Sequence, residues 1–359
     1  MKKVAIIGIQ GLPANYGGFE TLVENIIQET SSTEIQYIVF CSSKDFKTKI
    51  SRYKGAKLKY IPLKANGIQS IPYDILSMCK AIRGYDILLV LGTSGCIFLP
   101  FFRIFNRKKL IVNIDGLEHR RAKWGNVAKH FLRISEKFAV KFADTIIVDN
   151  KGIENYVSQN YKKRTSLIAY GGDHVLTEVS DIRQQEVLNL YNLTSGGYSL
   201  TICRIEPENN CHMTLEAFAK SNNRLVFIGN WNRNNYGRSL KDQYNHYSNI
   251  TFIESLYEIE PLYVLRKHCQ FYVHGHSAGG TNPSLVEAMF FGCPILAFNC
   301  VYNKETTNHS ALYYNDTQEL EQLLSVDNES AKESGKKMLV IASERYKWSH
   351  VVRQYEGLY

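Results

Sequence analysis

The stretch from Tyr272 to Phe298, YVHGHSAGGTNPSLVEAMFFGCPILAF, holds residue types that can bind an anion. A short apolar run enters the turn Gly279-Gly280-Thr281-Asn282-Pro283. An amphipathic helix is expected from Ser284 to Phe291, ended by Gly292, with Cys293-Pro294 opening the next strand. A glycine-rich turn feeding a helix presents backbone N–H groups at the positive end of the helix dipole, where a pyrophosphate is stabilised. Pro283 suits the first helical turn, because its missing N–H would have no helical partner there. Glu287 lies one turn further in, within reach of a ligand docked at that end. The same residues also fit an ordinary β-turn-α connection, since glycine turns of this kind are weakly specific.

Arg204 is a second charged candidate, in the run Cys203-Arg204-Ile205-Glu206-Pro207-Glu208-Asn209-Asn210 after an expected strand, Ser199 to Cys203. A permanently charged planar fork at a strand's carboxyl end suits a pyrophosphate. A salt bridge to Glu206 or Glu208 is its structural alternative. Near the N-terminus, the loop Gln10 to Gly18 contains Gly11, Pro13, Gly17 and Gly18. Asp115 follows the expected strand Leu110 to Ile114, at the end of the sheet where open α/β folds place ligands; capping the next turn would explain it equally well.

The elements that must position these residues alternate steadily. Strands are expected at Lys3–Ile9, Ile35–Cys41, Lys57–Pro62, Asp86–Leu91, Leu110–Ile114 and Ala143–Val148, with helices at Phe19–Gln28, Tyr73–Arg83 and Lys123–Phe142. After Tyr170-Gly171-Gly172-Asp173 the alternation restarts, with strands at Ser199–Cys203, Leu225–Ile228, Ile250–Phe252 and Gln270–His274. An α/β protein of two Rossmann-like domains facing a central cleft is expected, with domains at 1–172 and 173–340. The segment 341–359, with its stripe Tyr346, Trp348, Val351, Val352 and Tyr355, is expected to return to the first domain. G-x-G-x-x-G is absent, which argues against a nicotinamide-dependent oxidoreductase.

Length and composition fit this plan: 359 residues, 44% hydrophobic and 21% charged. No apolar run reaches bilayer-spanning length. The N-terminal run is read as a first strand and not a leader, because its short apolar core meets the glycine loop. Eight scattered cysteines with no CxxC pair suggest reduced thiols in a cytoplasmic protein and no zinc site. The net charge of +9 is uneven: Arg103 to Lys141 holds eleven Lys/Arg against three acids. That field points to an anionic partner, although a solvated helix face has the same composition. No nucleic-acid-binding signature accompanies it. The apolar run Cys96 to Phe105, CIFLPFFRIF, followed by Asn106-Arg107-Lys108-Lys109, fits either a membrane-surface segment or a core helix broken at Pro100.

Four segments in order, GLPANYGGFET (Gly11–Thr21), NIDGLEHRRAKWG (Asn113–Gly125), CRIEPENN (Cys203–Asn210) and GGTNPSLVEAM (Gly279–Met289), give the chain its resemblance to glycosyltransferase family 4 of the GT-B fold. More narrowly it resembles the rhamnosyltransferase-type subgroup with the N-terminal domain of unknown function 1972. The resemblance implies a retaining nucleotide-sugar enzyme. Gly17 and Gly18 match the loop that approaches the donor phosphates and reacting sugar. Arg204 matches the arginine that neutralises the leaving diphosphate, and Glu287 the second glutamate of an E-x7-E pair that binds the ribose. Gly280, Thr281 and Asn282 match the turn holding the pyrophosphate or sugar. Glu206, Asn209, His276 and Ser284 complete the expected donor site, with Asp115, Arg204 and Gly18 as the catalytic set. The chain departs from the family pattern at three points. The first glutamate falls on Gly279, the usual lysine on Asn209, and the usual active-site histidine on Asp115.

These departures touch groups that hold sugar hydroxyls, which fits a 6-deoxy sugar such as L-rhamnose carried on dTDP. No metal and no cofactor beyond the NDP-sugar donor are expected. The acceptor implied is a polyprenyl-diphosphate-linked saccharide at the cytoplasmic membrane face, with an anionic membrane surface contacted through Arg103–Lys141. Neutralising Arg120, Arg121 and Lys123 is expected to weaken binding to anionic vesicles. Competing expectations are a catalytically weak nucleotide-sugar-binding scaffold subunit, a sugar-nucleotide epimerase, or a glycogen-synthase-like polymerase on the same fold.

Overall fold

The computed structural model describes residues 1–14, 17–114, 116–121, 124–326 and 328–359. It forms two compact α/β units, one comprising Met1–Tyr170 with Trp348–Tyr359 and the other Gly171–Lys347.

The sheet of the first unit contains β1 (Lys2–Ile7), β2 (Ile35–Ser42), β3 (Arg52–Tyr53), β4 (Ala56–Ile61), β5 (Ile87–Leu91), β6 (Lys109–Ile114), β7 (Thr145–Val148) and β8 (Ser166–Leu167). Their order is β3-β4-β2-β1-β5-β6-β7-β8, parallel throughout except where β3 meets β4. The chain winds outward from β1 in one direction and from β5 in the other, so the topological switch lies between these two strands. The loops leaving their carboxyl ends therefore border a crevice. Gly8 marks the join: its φ is +102°, and a Cβ there would stand 2.0 Å from the Leu91 carbonyl oxygen. Only glycine permits that approach.

The second unit repeats the plan with β9 (Ser199–Ile202), β10 (Leu225–Ile228), β11 (Ile250–Ile253), β12 (Phe271–His274), β13 (Ile295–Phe298) and β14 (Leu312–Tyr314). Their order, β11-β10-β9-β12-β13-β14, puts its switch between β9 and β12. Strands buried on both faces of a parallel sheet need no polar alternation, which explains continuous runs such as ILLVL in β5. Trp231 anchors the second core, fully buried, with edge-on contacts to Phe227 at 4.8 Å and Phe252 at 4.7 Å.

Trp348–Glu356 is the last helix and belongs to the first unit. Trp348, Val351, Val352 and Tyr355 recur at helical spacing and are buried in its core. Asn113 Nδ2 donates to the Tyr355 hydroxyl at 2.8 Å. Residues 341–347, expected with this returning segment, instead stay with the second unit, where helix Asn328–Arg345 ends. Gly335 lets that helix lie close, since a Cβ there would be 2.1 Å from the Gly292 carbonyl oxygen. Pro100 does not break a helix. It sits in the first turn of Leu99–Phe105, where a missing N–H costs nothing.

Candidate functional site

In the second unit the residues singled out by sequence lie on the loops that leave β9 and β12, at the switch point, and on the helix that follows the second of these loops. Arg204 is exposed, and its guanidinium makes no ion pair or hydrogen bond among the described residues. The salt bridge to Glu206 or Glu208 is not formed. Glu206 is half-buried, and its Oε2 has no hydrogen-bond partner among the described residues.

Asn209 sets this loop. Its Nδ2 donates to the Arg204 carbonyl at 2.7 Å, and its Oδ1 lies 2.7 Å from His276 Nδ1. A carbonyl only accepts, so the amide orientation is forced and Nδ1 of His276 carries the proton. His276 is thereby tied to the Arg204 backbone through Asn209. Further stitches join the same two loops: Asn210 Nδ2 to the Gly275 carbonyl at 2.9 Å, and Ser277 N and Oγ to the Glu208 carbonyl at 2.9 and 2.8 Å. Gly275 is obligatory, because a Cβ would be 2.2 Å from the Asn209 carbonyl oxygen. His274, at the end of β12, is buried, and burial pushes its pKa down to about 3. It is a neutral imidazole.

The helix after the turn runs from Pro283 to Met289, two residues short of the expected end. Asn282 caps it, its Oδ1 accepting from Ser284 N at 3.0 Å and Ser284 Oγ at 2.9 Å. Leu285 N already donates to the Asn282 carbonyl at 3.1 Å. The first helical amides are therefore engaged, and the buried turn Gly280–Thr281 stands ahead of them. Gly279 has a φ of +119°, a conformation that L side chains rarely adopt, so the position lacking the family's glutamate is shaped for glycine.

Glu287 is not an unattached carboxylate. Its Oε2 is ion-paired to Arg266 Nη2, whose side chain is nearly buried, and its Oε1 lies 3.6 Å from His174 Nε2. Gly172 packs on the same helix, where a Cβ would come within 2.8 Å of Val286 and 3.1 Å of Glu287 N. Sequence reasoning missed Arg266, His174 and Gly172. The buried Arg266 sits in Leu265-Arg266-Lys267-His268, which reads like a surface basic turn.

In the first unit Gly17 is the N-cap of helix Gly18–Glu29, with φ +80°. Two carboxylates of that helix hold the preceding loop. Gln10 N donates to Glu20 Oε1 at 2.7 Å and Ala14 N to Glu24 Oε2 at 2.8 Å. Burial pushes Glu20 up to about 7, partly offset by the Gln10 N–H. Lys54 bonds Glu24 at 3.0 Å, and Tyr53 donates to it as well. Neither glutamate was picked out from the sequence, although Gly17-x-x-Glu20 has capping-box spacing. Asp115 lies outside the described residues, as does Lys123.

Beyond β6, Glu136 is 2% exposed and receives Tyr161 at 2.7 Å, Tyr156 at 2.9 Å and His119 Nδ1 at 3.0 Å. Burial raises its pKa, but these hydrogen bonds outweigh burial and leave it below the usual carboxylate range. Several cations of the basic region serve the fold. Arg103 binds the Phe142 carbonyl and Asp144, Arg121 is 8% exposed beside Glu118, and Arg120 lies 4.7 Å over the Tyr156 ring. Among the described residues no cluster of three or more His, Cys, Asp or Glu could hold a metal ion, and no helix is long and apolar enough to cross a membrane. All eight cysteines are free.

Comparison with known proteins agrees with this geometry. Residues 1–173 match the domain of unknown function DUF1972, and residues 193–343 match the glycosyl transferases group 1 model. The chain is 24% identical over 268 residues to the alpha-1,3/1,6-mannosyltransferase ALG2 of Saccharomyces cerevisiae, covering 62% of this chain and 52% of that one. It thus spans about half the length of that curated relative. Sucrose-phosphate synthase from Thermosynechococcus elongatus has a similar fold, with a TM-score of 0.83 at 18% identity, over 100% of this chain and 98% of that one. Anabaena HepE in complex with UDP and glucose superimposes with a TM-score of 0.77 at 14% identity, over 99% of each chain. The chain thus carries a DUF1972 domain followed by a glycosyl transferases group 1 domain, on the GT-B fold.

Proposed function

We propose that the protein is a retaining glycosyltransferase that moves L-rhamnose from dTDP-rhamnose onto a polyprenyl-diphosphate-linked saccharide. The first unit would take the acceptor, at the cytoplasmic face of a bacterial membrane during capsule or O-antigen assembly. The observation that carries the donor side is Arg204, an exposed guanidinium unpaired among the described residues, at the β9–β12 switch point on a loop fixed by Asn209 and His276. The UDP carried by the HepE structure is consistent with a nucleoside diphosphate at this fold's switch point. Rhamnose is favoured because Gly279 and Asn209 leave fewer partners for sugar hydroxyls.

Breaking the glycosyl–phosphate bond builds oxocarbenium character on the sugar and negative charge on the diphosphate. Arg204 would stabilise that charge, together with the Gly280–Thr281 turn, and would do so without a metal ion. The acceptor hydroxyl attacks on the face the diphosphate leaves, and a departing phosphate oxygen takes its proton. Retention then needs no protein nucleophile. Glu287, held by Arg266, would take a ribose hydroxyl on its remaining lone pairs. Asp115 would orient the sugar or acceptor. The engagement of Glu287 also favours a second reading, a subunit that binds nucleotide sugar without turnover.

Thermal-shift measurements with dTDP, UDP, GDP and ADP on wild type and Arg204→Ala test the proposal. A selective dTDP shift, lost in the variant, is the expected result, with donor turnover reduced about 10²- to 10³-fold. A shift with UDP or GDP alone would discard rhamnose. Absence of any shift would overturn the transferase reading, and binding without slow donor hydrolysis would select the second.

A further inference from the structure

The first unit exposes an apolar face that its own packing leaves uncovered. In helix Leu99–Phe105, Leu99 and Phe102 are fully buried, whereas Phe101, Ile104 and Phe105 are 62%, 70% and 70% exposed. Positions 101, 104 and 105 share one side of a 3.6-residue helix. The Phe101 ring stacks on Phe98 at 6.2 Å, extending the apolar surface by a second aromatic. Single exposed apolar side chains are ordinary on soluble proteins, but three adjacent ones on a seven-residue helix are not.

The charge around this face is mostly positive, with Asp144 as an exposed carboxylate paired to Arg103. Arg107 and Lys109 follow directly and are exposed. Arg103 fixes the end of the helix to the Phe142 carbonyl and to Asp144, so the end of helix Asn126–Phe142 lies alongside. On that neighbouring helix Arg133, Lys137 and Lys141 are exposed at four-residue spacing, hence on one side. An apolar patch bordered by cations is complementary to one surface in particular, a bilayer whose acyl boundary accepts the aromatics while its anionic headgroups meet the cations.

We propose that Phe101, Ile104 and Phe105 form a wedge that inserts into the interface of an anionic phospholipid membrane, with Arg107, Lys109 and Lys141 at the lipid phosphates. This deepens the membrane-side reading of the acceptor given above and rests on it for its purpose. It differs from simple electrostatic attraction in one measurable way. Cation–headgroup attraction is screened at about 1 M salt, where the Debye length is about 3 Å, whereas wedge insertion survives.

Sedimentation of the full chain with phosphatidylglycerol-rich and phosphatidylcholine vesicles, at low salt and at about 1 M, tests the wedge. The wild type is expected to bind the anionic vesicles at both salt concentrations. A Phe101→Ser/Ile104→Ser/Phe105→Ser variant is expected to lose at least about tenfold in vesicle affinity and all of the salt-resistant fraction. In a separate variant, Phe105→Trp, insertion should shift the emission of the new indole to the blue and shield it from an aqueous quencher. Because the altered side chains are exposed, unchanged circular dichroism and an unchanged nucleotide thermal shift serve as fold controls. Vesicle binding by the triple variant equal to wild type would overturn the wedge, as would complete loss of wild-type binding at high salt. A wild-type dimer that the triple variant abolishes would overturn it in favour of a second copy on this face. None of these results touches the transferase reading, which the nucleotide shift decides separately.

Discussion

Glu287 and Arg266 illustrate what a single residue contributes beyond its chemistry. The pair is an ion bridge in which Arg266 has almost no access to water, so removing the carboxylate leaves a buried cation without its counter-charge. Glu287→Ala is therefore expected to destabilise the second unit by on the order of 3 kcal/mol, in addition to weakening nucleotide binding. Urea unfolding of Glu287→Ala beside Arg266→Met/Glu287→Met checks this: the double variant should recover most of the lost stability and none of the binding. At this scale the sequence made Arg204 and Glu287 visible, because a charge after a strand or after a glycine turn stands out locally. Arg266, His174 and the clamp of Glu20 and Glu24 on their loop were hidden. Each depends on a partner that only the folded chain brings near, and their local context is that of any solvated helix turn.

The last helix, Trp348–Glu356, is held by a hydrophobic stripe and by a buried polar contact at its far end. Asn113 is 1% exposed, and the Tyr355 hydroxyl accepts from its amide. Tyr355→Phe leaves that donor unpaired in the core at nearly constant volume. A loss of about 1–3 kcal/mol is expected, read as a lower urea midpoint with an unchanged slope. Most helices and strands were legible as periods of apolar residues, and the aromatic stripe at 346–355 was enough to single this element out. Boundaries were less so. The helix expected from Ser284 to Phe291 begins with Pro283 and stops at Met289, since Pro283 fits a first turn and Phe290–Gly292 form the following one. The stretch 96–105 was ambiguous because an apolar run has no direction of its own. Packing decides which side is buried, here Leu99 and Phe102.

Across the whole molecule the two sheets share one winding, and the alternation of elements announced it. Strand order was not legible, because which strands pair is a matter of contacts far apart in the chain. The two units differ in what pH does to them. Burial lifts Asp74 to about 8 and Glu20 to about 7, so the folded first unit favours their neutral forms. That contribution is complete below their ordinary values of 3.8 and 4.5 and is lost as pH rises through 7 to 8. His274 behaves oppositely: with its pKa depressed from 6.5 to about 3, its contribution to the second unit is complete above 6.5 and lost as pH falls. Amide exchange followed by mass spectrometry should show the first unit opening first in alkali and the second first in acid. Asp74→Asn should remove much of the alkaline loss, on the order of a few kcal/mol by pH 9, since each pKa unit is worth about 1.4 kcal/mol. Equal protection of both units across the range would contradict this. The return of residues 348–359 to the first unit also bears on how the protein is made. On the ribosome the segment 171–347 emerges before the helix that completes the core of the first unit, so the half of the molecule that is synthesised first is the half that finishes folding last.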